Sequence, residues 1–171
     1  MRPVITTVLV EHPWLTTVGL VASVALGPLV GWWLVGRPRL TRWLAAASLA
    51  PVVVLTLAPT SRSLDVGCVA EWSLPTLGAV ELVANVVLFV PPVLLLGVAT
   101  GRPLLVLLGA SATSGLIELV QALAPQLGRS CSTDDWLSNT LGAVLGAALA
   151  ASALALSRLT TGARSRETDR H

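Results

Sequence analysis

The stretch "STDDWLSNTLGAVLGAALAASALAL", Ser132 to Leu156, decides the fold. After Asp134 and Asp135 no charged residue occurs, and the segment from Trp136 to Leu156 is long enough to cross a bilayer. A hydrocarbon core about 30 Å thick needs roughly 20 apolar residues in a helix. A helix N-terminus explains part of the opening: Ser132 and Thr133 are good N-cap residues, and the acids face the positive end of the dipole. Capping does not require an Asn a turn further in. Asp135 and Asn139 are spaced i, i+4, so they lie on one helix face.

Four further segments have the same character: Trp14–Val35, Trp43–Ala58, Leu77–Ala99 and Leu104–Ala124. Composition agrees, with 54% hydrophobic and 12% charged residues and a mean hydropathy of +0.79. A soluble domain carries about 25% charged residues. The expected fold is therefore all-α, a polytopic bundle of about five transmembrane spans over residues 14–158. Residues 1–13 form an interfacial lead-in, since Glu11, His12 and Pro13 break what would otherwise resemble a signal-peptide core. Residues 159–171 form a polar, basic, disordered tail.

Arginine distribution gives the orientation. All eleven basic residues are arginine. Arg37, Arg39, Arg42, Arg102, Arg158, Arg164, Arg166 and Arg170 fall on one side of the spans. Arg2, Arg62 and Arg129 fall on the other, with Glu11, Asp65, Glu71, Asp134 and Asp135. Basic flanks stay cytoplasmic, which places the N-terminus outside and the C-terminus inside. Tryptophans 14, 32, 33, 43 and 136 lie near segment ends, where amphipathic rings favour the headgroup level. Arginine without lysine is a lineage bias rather than a nucleic-acid signature, and nucleic acid is not an expected partner. The partner is the lipid bilayer of a plasma membrane.

With that orientation Cys68 and Cys131 both lie outside, where disulfides persist. They form either a bridge between two outer loops or a pair of unrelated thiols. Glu81 and Asn85 on the third span, Glu118 and Gln121 on the fourth, and Asp135 and Asn139 on the fifth all fall in the same outer layer. Glu118 is the deepest acid, about six residues or roughly 9 Å short of its helix end. A charge at a helix centre costs about 2.5–3.5 kcal/mol on insertion scales, so Glu118 either pairs with Arg129 or carries a proton. Structural alternatives remain open for the amides, which hydrogen-bond between helices in many bundles. Gly142 and Gly146, like Gly27 and Gly31, form GxxxG elements suited to close helix packing. No metal-ligand or cofactor motif is present, and both histidines, His12 and His171, are terminal.

These same residues carry a resemblance. "NVVLFVPP" from Asn85, "SGLIELVQALAP" from Ser114 and "GRSCSTDDWLSNTLGAVLG" from Gly128, with "LTLAP" ending the preceding span, resemble the VanZ-like family over roughly residues 52–150. These are small polytopic bacterial membrane proteins named for a teicoplanin-resistance accessory protein. Asn85, Glu118, Gln121, Arg129, Asp134, Asp135, Asn139 and Gly142 match the family pattern. Ser132 stands where an acid is usual, Cys131 where an aromatic is, and Val93 where a glycine is. The resemblance implies a cell-envelope protein with an outward polar site for a lipid headgroup, a cell-wall precursor or an amphiphilic, glycopeptide-type antibiotic. Two alternatives are an intramembrane enzyme acting on a lipid-linked substrate, and a small transporter or assembly partner of a membrane complex.

Overall fold

The computed structural model describes residues 11–59, 68–70, 72–74, 76 and 78–168. Five helices are long and apolar enough to cross a membrane: α1 (Trp14–Val35), α2 (Pro38–Leu57), α3 (Val80–Thr100), α4 (Pro103–Leu123) and α5 (Thr133–Thr168). A two-residue parallel bridge, β1 (Cys68–Val69) with β2 (Cys131–Ser132), links the α2–α3 and α4–α5 connections. Residues 1–10 of the expected lead-in lie outside the described residues.

Helix boundaries follow local chemistry. The second span begins at Pro38 rather than Trp43, and the fourth at Pro103 rather than Leu104. Proline suits the first helical position, because its missing N–H would be unpaired there anyway. The α3–α4 connection is equally tight. Gly101 adopts φ 67° and donates its N–H to Gly97 O at 3.0 Å, a left-handed C-terminal turn that glycine makes without strain. The third span starts at Val80, three residues later than the hydropathy suggests.

The largest departure is at the C-terminus. Helix α5 runs on to Thr168, where a disordered tail was expected from residue 159. Ser157–Thr168 contains no proline, and a helix already nucleated in the bundle gains one hydrogen bond for each residue added.

Helices α3 and α5 form the central pair. Each also touches α1 and α4, and α2 packs on α3. The α3–α5 approach is made by small residues. A Cβ at Gly142 would overlap the Val86 carbonyl, and one at Gly146 would come 2.7 Å from Val90 O. Gly27 and Gly31 admit Leu149 and Ala153 of α5 onto α1 in the same way. Without a hydrophobic force between helices in lipid, such close van der Waals contact supplies much of the association energy. Val90, Leu94, Leu149, Ala150 and Ala153 fill this seam. Large apolar side chains, Val21 (61% exposed) and Leu104 (66%) among them, cover the outside, as lipid contact requires.

Candidate functional site

Polar side chains in an apolar bundle collect at one end of it, where α2 and α4 finish and α3 and α5 begin. Asp135, in the first turn of α5, accepts a hydrogen bond from Asn85 Nδ2 of α3 at 2.7 Å. Glu118 is 8% exposed, and its Oε2 accepts the Ser132 backbone N–H at 2.9 Å. Gln121 Nε2 donates to Thr56 O at 2.8 Å, and Arg129 Nε to Ala58 O at 3.0 Å. Asn139, buried on α5, donates from Nδ2 to Ser114 Oγ at 2.9 Å. Asp134 Oδ1 accepts the Ser73 N–H at 2.6 Å.

These partners separate structural from unassigned chemistry. The N-cap of α5 is Ser132, whose Oγ accepts the Asp134 N–H at 3.2 Å. Asp134 instead secures the α2–α3 loop, and Asp135 ties α5 to α3. Gln121 and Arg129 both cap the C-terminus of α2, where the last carbonyls lack intrahelical partners and the dipole is negative. Of the two arrangements open to Glu118, pairing with Arg129 is not the one seen, since the two side chains take other partners. Glu118 reaches β2, held beside it by the parallel bridge, while the guanidinium turns to α2. Burial pushes the Arg129 pKa below its ordinary value, a shift that the neighbouring Asp135 charge offsets only in part.

Asp135 is the electrostatic hub. Glu81, Asp134, Glu118 and Arg129 all lie within reach of its charge. Glu81, on the first turn of α3, is solvent-exposed and sits at the rim. Among the described residues no set of acids, cysteines and histidines is arranged to hold a metal ion.

Cys68, Trp72 and Ser73 of the α2–α3 connection lie over this cluster. Cys68 and Cys131 are joined by a disulfide, with Cα atoms 4.6 Å apart. Trp72 packs edge-on against Trp136, ring centroids 6.3 Å apart. Trp136 is half-buried in the first turn of α5. It points into the bundle, donates Nε1–H to Ser111 O at 3.2 Å and lies against Gly115.

Several polar residues escaped the sequence reasoning. Ser111, Ser114, Glu118 and Gln121 form one stripe on α4, about 15 Å long at 1.5 Å per residue. Ser111 meets Thr140 at 2.9 Å, and Ser114 and Ser138 are fully buried. Their i, i+3, i+7 spacing behind Glu118 was the available signal. Three buried polar atoms, Gln121 Oε1, Asn139 Oδ1 and the Ser138 hydroxyl, have no hydrogen-bond partner among the described residues.

No curated protein and no solved structure matches the chain. One family model does: VanZ/LLP1, over residues 29–155. That range takes in α2, α3 and α4 whole, together with the last turns of α1 and most of α5.

Proposed function

The chain belongs to the VanZ/LLP1 family, and from that premise we propose that it is a multi-pass protein of the bacterial plasma membrane that holds the polar head of an amphiphile. The amphiphile is a membrane lipid, a lipid-linked cell-wall precursor or a glycopeptide-type antibiotic. The site is the cluster of Asn85, Glu118, Gln121, Arg129, Asp135 and Asn139, with Asp134 positioning its cover and Glu81 at its mouth. One observation carries this reading: three helices each direct a polar pair to the same end of the bundle. Intramembrane acids and amides are expensive and persist where they face a partner or pathway.

The cluster faces outward in this proposal. Eight of the eleven arginines flank the opposite ends of the spans, and the Cys68–Cys131 disulfide fits an oxidising compartment.

A strain lacking the chain tests the reading. Its susceptibility to teicoplanin and other envelope-active antibiotics is compared with and without complementation. The wild-type gene restores the resistant phenotype; Glu118→Ala and Arg129→Ala fail to, although both proteins remain in the membrane fraction. Full complementation by both variants would remove the cluster from the function.

A further inference from the structure

The ligand's chemistry can be narrowed further, on the assumption that the cluster is the binding site proposed above. The cluster holds more acceptors than donors. Asp134 and Asp135 supply carboxylates, with Glu81 beside them and Glu118 adding acceptor oxygens, against one guanidinium, that of Arg129, among the described residues. Gln121 is 6% exposed and its amide orientation is fixed, because only its NH2 can pair with the Thr56 carbonyl. Its Oε1 is thereby left without a donor. Asn139, 2% exposed, places Nδ2 on Ser114 Oγ and has no donor to Oδ1, although a serine hydroxyl pairs with either amide atom, so Gln121 is the fixed acceptor of the two. Each orphan oxygen lies about one turn from a carboxylate on the same helix face: Gln121 from Glu118, and Asn139 from Asp135.

A phosphate or carboxylate arriving here would add acceptors and negative charge to a place already rich in both. The missing components are N–H or O–H donors and positive charge. We propose that the cluster binds a primary ammonium group, whose three N–H donors and single charge meet the amide oxygens and carboxylates together. A quaternary ammonium brings the charge without the donors. The group has two possible sources, an ethanolamine-type lipid headgroup or a free amine such as an amino sugar or an amine-bearing antibiotic.

The test uses the full chain in phosphatidylcholine nanodiscs doped equally with phosphatidylethanolamine and phosphatidylglycerol. Lipids retained through detergent exchange are counted by native mass spectrometry. A lipid source predicts phosphatidylethanolamine retained at least about tenfold over the other two, the size of one charge-assisted hydrogen bond. Gln121→Leu and Asp135→Asn bring that ratio back to the bulk composition. A free-amine source predicts no selective lipid, but a rise in the thermal midpoint of wild-type protein in detergent with ethanolamine and none with equal choline or sodium phosphate. That comparison needs no variant and stands if the substitutions prevent folding. An equal response to choline and ethanolamine overturns the ammonium assignment. Selective retention of phosphatidylglycerol, lost in the same variants, also overturns it while leaving the headgroup site standing. No selectivity and no shift with any probe removes both.

Discussion

Gln121 divides one side chain between two tasks: its NH2 closes the end of α2 and its oxygen is buried without a donor. An interhelical hydrogen bond in a membrane protein averages about 0.6 kcal/mol, whereas an unpaired buried acceptor costs about 1–3 kcal/mol. Gln121→Leu removes the orphan oxygen but leaves the Thr56 carbonyl without its donor, so one buried acceptor replaces another. Stability in a denaturant titration in micelles is therefore expected to stay within about 1 kcal/mol of wild type. A loss much larger than that would mean the amide is wholly structural. The Asn85–Asp135 contact is a cleaner pair, with one donor and one acceptor on different helices. A double-mutant cycle with Asn85→Ala and Asp135→Ala is expected to give a coupling of about 0.6–1.7 kcal/mol, and zero coupling would remove this link between α3 and α5. The charged and amide members of the cluster were legible in the sequence because lipid-facing segments make them conspicuous. Thr56, Ser111, Ser114, Ser138 and Thr140 were not, since helical hydroxyls commonly bond their own preceding turn and so read as local, even where, as at Ser111 and Ser114, their spacing follows an acid. The hydroxyls of Thr56 and Thr113 do this here.

Helix length and register decide where those side chains meet, and the two proved unequally readable. Five apolar runs gave five helices because span length is a property of hydropathy, which composition records directly. Starts at Pro38 and Pro103 and the long extension of α5 depend on capping and propagation, which hydropathy does not encode. The register of α3 against α5 rests on Gly142, where any side chain meets the Val86 carbonyl. Gly109 of α4 has nothing within 4 Å of a built Cβ. The same substitution thus has opposite expected signs. Gly109→Ala gains up to about 1 kcal/mol of helix propensity, while Gly142→Ala forces backbone apart and loses about 1–3 kcal/mol. Unfolding titrations of the two variants side by side read the difference. A neutral Gly142→Ala would show that α3 and α5 do not approach as closely as the packing requires. Since Asn85 and Asp135 are placed by that approach, Gly142→Ala also lowers whatever ligand retention the cluster shows.

The molecule joins its cluster to its cover through several ties at once. The disulfide, the two-residue parallel bridge, the Ser73–Asp134 hydrogen bond and the Trp72–Trp136 contact all hold the α2–α3 connection against the start of α5. The cysteines are 63 residues apart; for a free chain, closing such a loop is worth about 4 kcal/mol. Here the membrane already restrains both ends of the intervening spans, so Cys68→Ser with Cys131→Ser is expected to cost clearly less than that in a denaturant titration. The larger consequence is topological. If arginine placement has set the orientation, the disulfide and the cluster beneath it face the cell exterior, and the extended end of α5 faces the cytoplasm. Intact cells treated with an impermeant reductant should then yield cysteines that an impermeant maleimide labels without lysis. A Gly162→Cys substitution in a background lacking both native cysteines should label only after lysis, because that position is in the last turns of α5 and open to solvent. The opposite pattern would turn the bundle over. It would place the carboxylates and orphan amides on the cytoplasmic leaflet, out of reach of cell-wall precursors already translocated and of antibiotics arriving from outside. The ammonium selectivity belongs to the cluster itself and would survive that inversion, but the source of the amine would then have to lie inside the cell.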